Sequence, residues 1–187
     1  MTALERAIAD IVATLESLHI NYALIGGIAN AVWGEPRATV DVDVTISVDD
    51  QQIPDTIDAL ARRFRIAVQD PLRFVRDTRV LPLDAANGVR VDVIFALLSM
   101  ELDAIRRART VQLAGASVRV VTPEDLILMK VISDRPRDIA DAEAIARRQA
   151  HSLDLDYLEP RIKELATSLE REDIFKRWRS WAVGRRP

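Results

Sequence analysis

Thr39-Val40-Asp41-Val42-Asp43-Val44 sets two aspartates one residue apart inside a run of Val and Thr. Such residues favour strands, and successive strand side chains point to opposite faces. Asp41 and Asp43 therefore share one face, while Val40, Val42 and Val44 share the other, toward a core. Ionised side chains that interrupt an apolar strand are costly unless paired or bound to a cation. A third aspartate recurs in the same setting, within Val89-Arg90-Val91-Asp92-Val93-Ile94-Phe95. Three carboxylates gathered on one sheet face repel one another unless cations lie between them, the usual arrangement for a pair of Mg²⁺ ions acting on phosphate. For Asp92 the alternative is a buried acid satisfied by backbone or by an arginine. The other Asp-x-Asp triplet, Asp154-Leu155-Asp156, falls where a helix should begin and reads as a cap.

Upstream of the acidic strand, Tyr22–Ile25 reads as a strand and Gly26-Gly27 turns it into a helix from Ile28 to about Trp33, which Gly34-Glu35-Pro36 ends. The free N–H groups of such a turn form a cradle for phosphate oxygens. A tight turn without a ligand is the plainer reading. Between turn and strand lie Arg37, which would neutralise a phosphate or pair with Glu35, and Thr39. Outward from this centre, Thr2 and Glu5 form a capping box for a helix to about Leu18. Pro54 opens a helix to about Arg63, Arg65–Val68 reads as a short strand, and Asn87-Gly88 signals a hairpin between Val80–Leu83 and Val89–Phe95. Ser99–Ala108 reads as helix, and a second hairpin turns near Gly115 into Ser117–Val121. From Thr122 on the pattern is helical. Thr122 caps and Pro123 takes the first helical position. Further helices are expected over about 139–148, 154–169 and 173–183. The expected architecture is α/β (α+β), a short mixed sheet backed by helices over residues 1–121. A helical region over 122–187 is expected to pack closely on it.

Composition bounds the setting. The chain has 187 residues, 49% of them apolar and 29% charged, which describes a globular protein with room for a core. A net charge of −3 argues against nucleic-acid binding over the whole surface and leaves a local basic patch open. With no cysteine there are no disulfides or thiolate metal sites, and a reducing cytoplasm fits. The start shows no signal-peptide pattern, and no apolar run reaches the length of a membrane span.

In their order along the chain these motifs resemble the nucleotidyltransferase superfamily related to DNA polymerase beta, and within it the AbiEii-type toxin nucleotidyltransferases. Tyr22-Ala23-Leu24-Ile25-Gly26-Gly27-Ile28-Ala29, followed by Gly34-Glu35-Pro36-Arg37-Ala38-Thr39-Val40-Asp41-Val42-Asp43, looks like that family's opening motif. Val91-Asp92-Val93 is similar to its third carboxylate strand. Thr122–Lys130 and Arg135-Pro136-Arg137-Asp138-Ile139-Ala140-Asp141 look like its later elements. The resemblance implies two Mg²⁺ ions and an NTP such as ATP, with Asp41 and Asp43 ligating both ions and Asp92 the ion that activates an acceptor hydroxyl. Gly26, Gly27, Arg37 and Thr39 would then contact the nucleotide. Lys130 is the only charge in Leu126–Ile132; it either snorkels or, as taken here, points inward at the triphosphate. Asp138 and Asp141 would charge a helix start, with an active-site contact also implied. Many superfamily members carry Ser after the glycines, where this chain has Ile28.

The acceptor is less determined. The tail from Arg171 is basic, and Arg177, Arg179, Arg185 and Arg186 beside Trp178 and Trp181 would suit RNA, or the tryptophans would be anchors on a core. The expected activity is Mg-dependent transfer of an NMP to RNA or tRNA, as a toxin with a partner antitoxin. The alternatives are transfer to a protein or a small molecule such as an aminoglycoside, and a non-catalytic binding module.

Overall fold

The computed structural model describes residues 1–113 and 115–182. It divides into two units: Met1–Ile28 with Ala38–Val121, and Ala29–Arg37 with the chain from Thr122 on. The segment Ala29–Arg37, which the sequence places with the α/β part, thus groups with the helical one.

The first unit contains a seven-stranded mixed sheet. Its elements are α1 (Ala3–Ser17), β1 (Asn21–Leu24), the start of α2 (Gly26–Trp33), β2 (Asp41–Ser47), α3 (Ile53–Ala61), β3 (Arg65–Ile66), α4 (Pro71–Thr78), β4 (Val80–Asp84), β5 (Arg90–Phe95), α5 (Ser99–Arg107), β6 (Arg109–Leu113) and β7 (Ala116–Val120). The strand order is β3-β4-β5-β2-β1-β7-β6. β2 pairs with β5, and β1 with β7, in parallel, and the remaining pairs are antiparallel. The capping box of α1 forms as expected, Thr2 and Glu5 bonding reciprocally, and its apolar stripe buries Ala7, Ile8, Ile11, Val12 and Leu15. Tyr22, Ala23 and Leu24 are all buried, as are Val44, Thr45 and Ile46, so this part of the sheet is covered on both faces. At its other end β2 alternates, and so does β5 throughout, leaving one face for polar groups.

Helix α4 is not foreseen from the sequence. Asp70 accepts the Arg73 N–H and Pro71 lies in the first turn, both start signals, but Val75 is its one buried side chain, so the apolar period is faint. The Asn87-Gly88 turn closes as predicted, with Gly88 N–H donating to the Ala85 carbonyl and Gly88 at φ +82°.

In the second unit lie α6 (Pro123–Val131), α7 (Pro136–Arg148), α8 (Leu155–Ser168) and α9 (Glu172–Ala182). Leu126, Ile127, Leu128 and Val131 are buried together with Glu124, Asp125 and Lys130, so α6 is the central helix of this unit. Its buried acids are bonded. Asp125 accepts from the Thr122 hydroxyl at 2.7 Å and the Tyr157 hydroxyl at 2.6 Å, and Glu124 Oε1 accepts the Asp154 N–H at 2.9 Å. Asp154 also caps α8 by accepting the Tyr157 N–H, the role expected of that triplet. α7 begins at Pro136, three residues before its predicted start. No described helix is long and apolar enough to cross a membrane.

Candidate active site

The parallel register of β2 and β5 sets Asp43 beside Asp92 and Asp41 beside Arg90. Val42, Val44, Val91 and Val93 between them are fully buried, which fixes the register, because a slip of one residue would turn every acid into the core. The opposite face thus carries Asp41, exposed, and Asp43 and Asp92, both half-buried. Burial pushes the Asp92 carboxyl above its ordinary pKa, and the charges of Asp43 and Asp41 push it the same way, against the pull of Arg90. Negative charge here exceeds what nearby cations offset.

Two glycines shape the floor. Gly26 has φ +59°, a left-handed conformation that glycine adopts without strain. A Cβ on it would lie 2.0 Å from Asp43 Oδ2, and one on Gly27 would lie 2.5 Å from Thr39 Oγ1. The Gly-Gly pair therefore admits a carboxylate and a hydroxyl to the start of α2, where the helix dipole favours negative charge. The Ile25 N–H donates to the Asp43 carbonyl at 2.9 Å, which ties this turn to β2. Ile28 is buried.

An all-oxygen donor set with surplus negative charge fits a hard divalent cation. Among the described residues no three acidic or imidazole side chains enclose one point, so the acids form an open row rather than a closed cage. Mg²⁺ would be held by Asp41, Asp43 and Asp92.

The remaining predicted residues meet in the helical unit. Lys130, buried, donates to Asp138 Oδ1 at 2.9 Å and Asp141 Oδ2 at 2.8 Å, and Arg37 donates to the same Asp141 oxygen at 3.3 Å. Arg37 thus pairs with Asp141 instead of Glu35, and its buried Nε finds no partner among the described residues. Burial pushes Asp138 up, but hydrogen bonds from Lys130 and Ser133 outweigh it and hold its carboxyl below the ordinary range. Asp138 lies in the first turn of α7, as expected. In α9, Trp178 and Trp181 are buried edge to face, 6.4 Å apart, and serve as core anchors. Arg177 donates to Asp173 at 3.0 Å, Arg179 is exposed, and Arg185 and Arg186 lie outside the described residues.

One group beside the acids escapes the sequence reading. Asp84 on β4 pairs with both Arg90 on β5 and Arg65 on β3. The Asn87-Gly88 hairpin carried the signal, since its register places Asp84 opposite Arg90.

Among solved structures, similar folds occur in the antigenic nucleotidyltransferase-like protein from Paracoccidioides brasiliensis (19% identity, 92% of each chain covered, TM-score 0.51). They occur also in the antibiotic-resistance factor ANT(2'')-Ia (14% identity, 91% of this chain and 96% of that one, TM-score 0.61). The lincosamide antibiotic adenylyltransferase LnuA is a third (15% identity, 78% of this chain and 96% of that one, TM-score 0.52). At these identities the likeness is one of fold. No curated protein matches the sequence. The family model described as nucleotidyltransferase of unknown function (DUF6036) matches residues 2–183, and the chain belongs to that family.

Proposed function

We propose that the α/β unit transfers an NMP from an NTP to an acceptor hydroxyl, with Asp41, Asp43 and Asp92 as its catalytic residues. The observation that carries this reading is the Asp43–Asp92 pairing across β2 and β5, with Asp41 on the same face and Gly26 directly against Asp43. Two Mg²⁺ ions bound there would neutralise the triphosphate and activate the acceptor oxygen. The acceptor oxygen forms a bond to the α-phosphorus, the bond from that phosphorus to the bridging oxygen breaks, and pyrophosphate leaves. The Gly27–Thr39 floor lies at a helix start suited to phosphate oxygens. Asp92, beside Asp43, would hold the ion that activates the acceptor hydroxyl, whose proton passes to solvent. Nucleotide contacts by Arg37 and Lys130 rest on the superfamily resemblance, and their charges already meet Asp138 and Asp141.

RNA, tRNA in particular, is the proposed acceptor. A cytoplasmic role as an AbiEii-like toxin held by an antitoxin follows from the same resemblance. The second reading, a small-molecule acceptor, is supported by the two neighbours whose names tie them to antibiotics. Incubation with α-labelled NTP, Mg²⁺ and, in parallel, cellular RNA, an aminoglycoside or lysate protein separates these: label on RNA supports the first reading, label on the drug the second. Label on none of them removes both.

A further inference from the structure

On the sheet face that carries Asp92, a row of charge crosses three strands. Arg65 on β3 is the register partner of Asp84 on β4, and Asp84 is the partner of Arg90 on β5. Arg90 precedes Asp92 by two residues, so both side chains leave the same face of the strand. Its register partner on the other side is Asp41. The Asp84 carboxylate, 13% exposed, takes Arg65 Nη2 on one oxygen and Arg90 Nε, at 3.2 Å, on the other. Both arginines reach solvent, Arg65 with 76% of its side chain exposed and Arg90 with 43%.

One arginine would neutralise Asp84, and a cross-strand pair of that kind is enough to support the sheet. The second offsets part of the negative charge that Asp41, Asp43 and Asp92 place on this face. Arg90 meets Asp84 through Nε at 3.2 Å and keeps part of its guanidinium open to solvent. Held by a common carboxylate, the two guanidinium groups have already lost part of their rotamer freedom and present donors suited to phosphate. A polycationic drug would gain nothing from guanidinium groups beside the acids. A polyanion, whose hydroxyl must approach three carboxylates, would gain the offsetting charge.

We propose that Arg65 and Arg90, positioned by Asp84, bind a backbone phosphate of an RNA acceptor next to the hydroxyl presented to Asp92. The inference rests on the reading of Asp41, Asp43 and Asp92 as the transfer centre, and it names the acceptor class for that centre.

The test uses the full chain and a short fluorescein-labelled single-stranded RNA with a free 3′ hydroxyl, followed by anisotropy over a series of salt concentrations. Arg65→Gln/Arg90→Gln is compared with Arg62→Gln/Arg63→Gln, which removes the same charge from exposed positions just beyond α3. The first pair should weaken binding at least about tenfold and flatten the log–log salt slope by about 1.4, two phosphate contacts at about 0.7 each for single strands. The control pair should do neither. Arg90→Lys keeps the charge, so it should hold the slope within about 0.3 of wild type while binding more weakly. If both double variants lose equal affinity, or wild-type protein fails to bind the RNA at low salt, the inference is overturned. Thermal stabilisation by NTP with Mg²⁺ reports on the transfer centre separately. It should still be present in Arg65→Gln/Arg90→Gln, and its absence from wild type would count against the transfer reading while leaving the RNA result to be judged by itself.

Discussion

Gly26 and Asp43 approach so closely that a single methyl group cannot fit between them: a Cβ on Gly26 would lie 2.0 Å from Asp43 Oδ2. The left-handed backbone of Gly26 makes the position doubly restrictive. Gly26→Ala should cost about 1–2 kcal/mol for the left-handed residue alone, before any displacement of the carboxylate. The melting temperature should fall by at least about 2–8 °C at roughly 2–4 °C per kcal/mol for a chain of this size. Activity should fall further than this loss explains, because Asp43 must move. A thermal melt and a label-transfer assay on the same preparation check both.

Asp92 gives the stability of the protein an acid-side signature. Its folded-state pKa is raised above 3.8, so the folded chain holds that proton more tightly than the unfolded one. The contribution of Asp92 is therefore fully present below the ordinary carboxylate range and is lost as pH rises through its folded pKa. In Mg-free buffer Asp92→Asn should be more stable than wild type near pH 7, and the two should converge toward about pH 3.5, where free carboxylates protonate. Asp138→Asn should behave oppositely. Asp138 is held low, so its stabilisation is present above the ordinary range and lost as pH falls through its folded pKa. Urea midpoints across pH distinguish the two signs.

Lys130 is the shared cation of two largely buried aspartates. Lys130→Met should destabilise by about 3–5 kcal/mol, because the acids lose their partner while staying buried. Lys130→Met/Asp138→Asn/Asp141→Asn should recover most of that loss. Urea denaturation of the three proteins measures it. A single variant as stable as wild type would mean that the acids find other partners.

Legibility in the sequence followed the range of the interactions. Thr2 with Glu5, Asp154 with Tyr157 and the Asn87-Gly88 turn are settled within a few residues, and each was readable. The shared face of Asp41 and Asp43 followed from strand period, and the valines around Asp92 put it in a similar strand. Pairing Asp43 with Asp92 needed the parallel register of two strands distant in sequence, which no local rule supplies. Lys130 could be singled out as a lone charge in an apolar helix. Its partners Asp138 and Asp141 and their link to Arg37 emerge only when α6 and α7 pack. Ala29–Arg37 joins the helical unit through bonds such as Arg148 Nη1 to the Gly34 carbonyl at 3.0 Å, likewise invisible in the local pattern. Asp84 with Arg90 follows from the hairpin register, but an arginine beside a strand acid resembles ordinary surface pairing.

Metal and nucleotide should stabilise the protein together. The acids repel one another without a cation, so NTP should raise the melting temperature only when Mg²⁺ is present. At about 100 times Kd the gain is roughly 2.7 kcal/mol, or about 5–10 °C. An equal shift in EDTA would show that these acids do not act through a metal.

Transfer itself gives the decisive comparison. Wild-type protein and Asp43→Asn, matched for folded fraction by thermal melts, are incubated with α-labelled NTP, Mg²⁺ and cellular RNA. Wild type should attach label to the RNA, and Asp43→Asn should attach at least about a hundredfold less, the loss expected when a main electrostatic stabiliser of the transition state is removed. Equal labelling by the two proteins would contradict a catalytic role for the Asp43–Asp92 face.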